Sequence, residues 1–149
     1  MTPVRKASNP LLAPCGRACK LRPVLHAAAF PAAERWGPDA IRLMLEMPGA
    51  FGLHLPGTGF VLARVATDEA EILTLAVLPQ ARRSGQGGRL LDAAAAEAAQ
   101  QGATALFLEV ASDNLAALGL YQSRHFATVG RRPHYYGLNH HATVLRREL

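Results

Sequence analysis

The sequence predicts an α/β domain, a central mixed β-sheet with helices on both faces. Three observations point there. Glu71 to Leu78 (EILTLAVL) and Ala105 to Val110 (ALFLEV) are near-continuous apolar runs, the pattern of strands buried on both faces. Gly88 to Gly102 and Asn114 to Arg124 carry apolar residues at helical spacing, so helices alternate with these strands. The chain has 149 residues, half of them hydrophobic, enough for one core without metal or disulfide support.

The elements follow in order. Residues 1 to 20 have little periodicity and read as a loosely ordered arm, so the domain proper spans 21 to 149. Leu21 to Ala29 reads as a first strand. Pro38 to Met47 reads as a helix, with Pro38 suited to its first turn and Pro48-Gly49 ending it. Ala50 to Leu55 and Gly59 to Ala66 are apolar runs split by Pro56-Gly57-Thr58-Gly59, a hairpin pattern. The helix over Gly88 to Gly102 uses Leu90, Leu91, Ala94, Ala95 and Ala98, and Gly102 stops it. Leu115, Leu118 and Tyr121 lie within the third helix. Phe126 to Arg132 and Ala142 to Arg147 close the sheet, joined by a loop over Pro133 to His141.

Composition narrows the function. Sixteen Lys and Arg against eleven Asp and Glu give a net charge of +5. That suits a phosphate-bearing ligand, a nucleic-acid or ribosome partner, or plain solubility. Cys15 and Cys19 form one CxxxC without a second pair, which reads as two free thiols rather than a zinc site. His134, His140 and His141 share the closing loop and read as solvated, so no metal is expected. The basic start lacks the apolar segment of a signal peptide, and no run is long enough to span a membrane. A cytoplasmic protein is expected.

The chemistry concentrates after the strand ending at Leu78. Arg82-Arg83-Ser84-Gly85-Gln86-Gly87-Gly88 joins a buried strand to a helix. Successive N–H groups at a helix N-terminus cradle anions, and the helix dipole favours negative charge there. Glycines let a pyrophosphate approach the backbone, and Arg82, Arg83 and Arg89 add charge. The loop fits no Walker A motif, because Arg89-Leu90 stands where Lys and Ser or Thr belong. It fits no Rossmann fingerprint, because position 90 is Leu.

Two further groups stand out. Strand alternation places Phe107 and Glu109 on one face and Leu106, Leu108 and Val110 on the other. A carboxylate there is costly unless it meets water or a partner. Asn114 and Tyr121 are seven residues apart, nearly the same face of a helix. The local alternatives are a helix cap for Asn114 and a core aromatic for Tyr121.

Val77-Leu78-Pro79 followed by Arg82-x-x-Gly85-x-Gly87 resembles the coenzyme A motif of the GNAT acetyltransferases. The match extends, over about residues 60 to 136, to the RimI-type N-terminal acetyltransferases of that superfamily. It rests on Glu69 to Val77, Leu108-Glu109-Val110, Ser112-x-Asn114-x-x-Ala117-x-x-Leu120-Tyr121 and Arg131-Arg132-Pro133-x-Tyr135-Tyr136.

The resemblance implies acetyl-CoA as cosubstrate, held by Leu75, Ala76, Val77, Arg82, Arg83, Ser84, Gly85, Gln86, Gly87, Gly88 and Asn114. It implies Glu109 as proton acceptor, working through water, and Tyr121 as proton donor to the departing thiolate. Trp36, Tyr135 and Tyr136 are the implied acceptor-binding residues. The implied acceptor is a protein N-terminus, that of a small-subunit ribosomal protein alanine, with no direct nucleic-acid or membrane contact. The sequence departs from the pattern at His125 and at His141-Ala142, which bears on acceptor choice, and in the arm before Leu21, which has no counterpart in the pattern. A GNAT enzyme acting on lysine or a small amine is the alternative, and a non-catalytic acyl-CoA-sensing or ribosome-binding module is the rival outside enzymes.

Overall fold

The computed structural model describes residues 13–14, 38–137 and 139–149, and the side chains of all these except 13, 14, 38, 136 and 137. The predicted strand at Leu21 to Ala29 and the residues Cys15, Cys19 and Trp36 lie outside the described residues. The elements are β1 (Ala13–Pro14), α1 (Pro38–Glu46), β2 (Ala50–Leu55), β3 (Gly59–Ala66), β4 (Glu69–Val77), a 3-10 turn (Pro79–Ala81), α2 (Gln86–Gln100), β5 (Ala105–Ala111), α3 (Leu115–Ser123), β6 (Ala127–Gly137) and β7 (His140–Glu148). The strands form one sheet in the order β1-β2-β3-β4-β5-β7-β6. Among the described strands only β4 and β5 are parallel, because α2 carries the chain across the sheet between them. Ala13 and Pro14, within the predicted arm, pair with His54 and Leu53 of β2.

Helices cover both faces, as the alternating pattern predicts. On one face α2 sets Leu90, Leu91, Ala94 and Ala98 against Val61, Ile72, Leu106, Leu108 and Leu145. Each buried leucine contributes about 1.5–3 kcal/mol through removal from water. Alanines in that stripe let the helix lie close to the strands. On the other face, Ile41 and Leu45 of α1 pack on Phe60, Leu62 and Ala76.

Two features of the sheet prepare the site. The first is a bulge in β4. Leu62 pairs with Thr74 and Ala63 with Ile72, so Leu73 is the extra residue. Bulges bend a strand and increase its twist. The second is the short parallel ladder. Glu69, Ala70 and Glu71 face Ala105, Leu106 and Phe107, and the register between the two strands goes no further. From there β4 stays with β3 as far as Val77, while β5 stays with β7 as far as Ala111. The sheet therefore opens between the C-terminal halves of β4 and β5.

One predicted loop is instead strand. Pro133 to Gly137 continues β6, and β7 starts at His140, so Tyr135 stands on a strand and not on a solvated loop. The cause lies in side chains that substitute for ladder bonds. Pro133 has no N–H to donate, and His134 takes a positive φ of 58°. Regular register lapses between Arg132 and Gly137. Across the gap the His134 amide donates to His141 Nδ1 at 3.0 Å, and the Asn139 amide donates to His134 Nδ1 at 3.3 Å.

Candidate active site

The opening between β4 and β5 brings most of the predicted site residues to one end of the sheet. Leu75, Ala76 and Val77 end the β4 side. The loop 82–85 and the first turn of α2 follow directly. Gly87 marks where three elements meet: a Cβ built on it would lie 3.7 Å from Val77 Cγ2 and 3.0 Å from Leu120 Cδ2 of α3. A side chain there would press into the gap between β4 and α3. The close approach accounts for glycine at that position.

The loop holds its shape through its own contacts. The 3-10 turn is closed by Arg82 N–H to Pro79 O at 3.3 Å, and Ser84 Oγ donates to Ala81 O at 2.6 Å. Arg82 Nε donates to the Val77 carbonyl at 3.1 Å, tying the loop to the end of β4. Gly85, with φ of 79°, is the N-cap of α2 and caps it with no side chain. Arg83 also takes a positive φ, 60°. Left-handed residues in such a run turn successive N–H groups toward one concavity, which suits a phosphate. Around it stand Arg82, Arg83 and Arg89. Arg89 Nη1 donates to Gln86 Oε1 at 3.0 Å.

A fourth cation comes from Arg124, the C-cap of α3. A Cβ on Gly88 would lie 2.3–2.5 Å from three guanidinium atoms of Arg124, so that guanidinium rests on the bare backbone of α2. Arg124 Nη1 pairs with Asp92 Oδ2 at 2.7 Å, and Arg147 Nη1 pairs with Asp92 Oδ1 at 2.9 Å. One carboxylate thus ties α2, α3 and β7 together. The sequence offered no sign of this link, since its members lie 32 and 55 positions from Asp92.

Asn114 caps α3, its Oδ1 accepting the Ala117 amide at 3.2 Å, the local alternative that its residue type allowed. The helix starts at Leu115, so Asn114 stands at its N-cap, and its carbonyl accepts the Leu118 amide at 3.0 Å. Tyr121 is partly buried, packs on the core beneath α2 and meets the Phe126 ring edge-on at 5.9 Å. Its core role, the local alternative that its residue type allowed, is therefore real.

Glu109 and Phe107 sit opposite Leu106, Leu108 and Val110, as alternation predicts. Glu109 is not simply a strand-end carboxylate in water. Its side chain is 18% exposed, and Oε1 lies 2.9 Å from Arg132 Nε. It lines an open cavity of about 290 Å³ with Arg64, Glu69, Glu71, Phe107 and Arg132. Beyond Arg132 stands Tyr135, 52% exposed, its ring 5.4 Å from the guanidinium carbon. Trp36 and the Tyr136 side chain lie outside the described residues.

Residues 48–126 match the model of the Acetyltransferase (GNAT) family. The chain belongs to this family. Among GNAT relatives, it is 38% identical over 77 residues to the ribosomal protein bS18-alanine N-acetyltransferase of Escherichia coli (strain K12), 52% of each chain. It thus spans about half the length of the curated relatives it matches. The solved ribosomal-protein-S18-alanine N-acetyltransferase from Escherichia coli superposes with a TM-score of 0.80 at 24% identity, covering 92% of both chains. A GNAT family acetyltransferase from Elizabethkingia anophelis, solved with acetyl-CoA bound, gives 0.76 at 17% identity over 93% of this chain and 97% of that one. These two likenesses establish the GNAT fold.

Proposed function

We propose that this chain transfers the acetyl group of acetyl-CoA to the N-terminal α-amine of a protein. The observation that carries the reading is the opening between β4 and β5, with the glycine loop at its mouth and a half-buried carboxylate on its flank. A cosubstrate with a pyrophosphate and an extended arm that can lie along a strand edge suits that opening. The 82–88 backbone and its arginines would take the pyrophosphate, and β4 at Leu75 to Val77 would run beside the arm. An N–H of that strand, freed from the ladder, would polarise the thioester carbonyl. Glu109, through water, would accept the proton of the attacking amine. Tyr121 would protonate the departing thiolate, a sensible match because phenol and thiol have reference pKa values of about 10 and 8.5.

The acceptor follows from acidity and from the relatives. An α-amine has a reference pKa of about 7.7–8.0 against about 10.4 for lysine, so one modest base suffices. The curated relative is named for an alanine of ribosomal protein bS18, and a protein N-terminus of that kind, on a small-subunit ribosomal protein, is the proposed partner. Among the described residues no helix is long and apolar enough to cross a membrane. The second reading is a lysine or small-amine acceptor on the same scaffold. The test is mass spectrometry of a peptide beginning with Ala, incubated with acetyl-CoA and this protein. Acetylation at the α-amine is expected. Acetyl-CoA binding by calorimetry with no acetylated peptide, or modification of an internal lysine alone, would end the proposal.

A further inference from the structure

We infer that Arg132 is a positioning residue that fixes the Glu109 carboxylate and weakens the acceptor site's hold on charged amines. The inference deepens the proposed function and rests on it. The geometry is specific. Glu109 on β5 pairs in register with Val144 of β7, and Arg132 on β6 pairs with Ala142 of β7. The arginine must therefore reach diagonally across β7 to meet the carboxylate. Its Nε then lies 2.9 Å from Glu109 Oε1, and its guanidinium carbon lies 5.4 Å from the centre of the Tyr135 ring. The plane is pinned at both ends, by a carboxylate and by an aromatic face.

The consequence is electrostatic. A bare carboxylate in this cavity would attract any ammonium group, and lysine offers one at every physiological pH. With Arg132 in place, one oxygen of Glu109 already has its cation. An arriving ammonium must approach a guanidinium or displace it. An arriving neutral amine meets no such repulsion and can pass its proton to the carboxylate through water. The other charges facing Glu109 leave the cavity lining with one net negative charge while Arg132 is present and two without it, so Arg132 weakens the pull on an ammonium without reversing it. Glu69 and Glu71 of β4 and Arg64 of β3 line the same cavity. Arg146 of β7, beside Phe107, is paired with Glu148. A like charge some 6 Å away across a partly hydrated cavity disfavours ammonium roughly tenfold. Arg132 is 59% exposed, so replacing it leaves the core intact.

The experiment compares wild type, Arg132→Gln and Arg132→Lys on two peptides beginning with Ala. One has a free α-amine and no lysine; the other has a blocked α-amine and one free lysine. Rates are taken as kcat and KM separately at pH about 6.5 and about 9, on either side of the α-amine's reference pKa. Arg132→Gln should lower the preference for the α-amine about tenfold. It should also lower KM for the α-amine peptide at the acid pH, where the ammonium form now binds more tightly, while kcat falls as the base loses its fixed position. Arg132→Lys keeps the charge and should restore most of the preference. If wild type prefers the α-amine and Arg132→Gln keeps the same preference and the same pH profile, the inference is overturned and the proposed function survives. Wild type that acetylates neither peptide removes both.

Discussion

Replacing Gly88 by alanine tests the packing at the start of α2. The new Cβ would fall 2.3–2.5 Å from three guanidinium atoms of Arg124, far inside contact distance. The guanidinium ends a flexible side chain, so it yields and the backbone stays. Yielding breaks the 2.7 Å pair with Asp92, whose two side chains are 35% and 44% exposed. A pair that open to solvent contributes about 0.5–1 kcal/mol. Alanine returns a similar amount, about 0.5–1 kcal/mol, through its helix propensity. Gly88→Ala alone should therefore change stability by less than about 0.5 kcal/mol, because the two effects offset. In an Arg124→Ala background the clash is gone, and the same substitution should stabilise by about 0.5–1 kcal/mol. The assay is urea unfolding followed by far-ultraviolet circular dichroism on wild type, both single variants and the double. Effects that add to within about 0.3 kcal/mol would mean no coupling, and the reading of a guanidinium resting on Gly88 would be wrong.

Three other outcomes are expected. Gly85→Val forces a β-branched residue into φ of 79°, which costs roughly 1–2 kcal/mol locally, and it should weaken coenzyme A binding at least tenfold in calorimetry while circular dichroism stays normal; unchanged affinity would remove the loop from the cofactor site. Tyr121→Phe keeps the ring against Phe126, so acetyl-CoA affinity and melting temperature should hold while single-turnover rate falls at least tenfold, and a wild-type rate would assign the proton donor elsewhere. His141 accepts the His134 amide through Nδ1, and partial burial, then the charges of Arg131, His134 and His140, hold its pKa below the ordinary 6.5. A lowered pKa means folding favours the neutral ring, so its contribution is full above 6.5 and fades as pH falls through the lowered value. Protection of the His134 amide against hydrogen exchange should decline below pH about 6.5, and protection that stays level down to pH about 5 would contradict this.

The sequence alone determined the parts that rest on local periodicity and on motif spacing. The apolar runs around Leu75 and Leu108 became central strands because their apolar residues fall on both faces of the strand. Leu90, Leu91, Ala94 and Ala98 fixed which side of α2 would face the sheet, and the glycine loop declared a turn into a helix. The GNAT family was legible for the same reason, since its coenzyme A motif is contiguous in the chain. Local chemistry also misled where a neighbour intervened. Pro133 and the histidines after it read as loop, yet imidazole nitrogens replaced the missing ladder bonds and strand geometry continued. Tertiary structure decided everything that depends on two distant segments. The extra residue at Leu73 shows only against β3, and the parting of β4 from β5 needs three strands to define it. Glu109 could have faced water until Arg132, across β7, took its charge. Asp92 looked like an ordinary helical acid until Arg124 and Arg147 met it. Such links join side chains far apart in the chain through Coulomb attraction and close packing, which depend on distance in space and leave no period in the sequence.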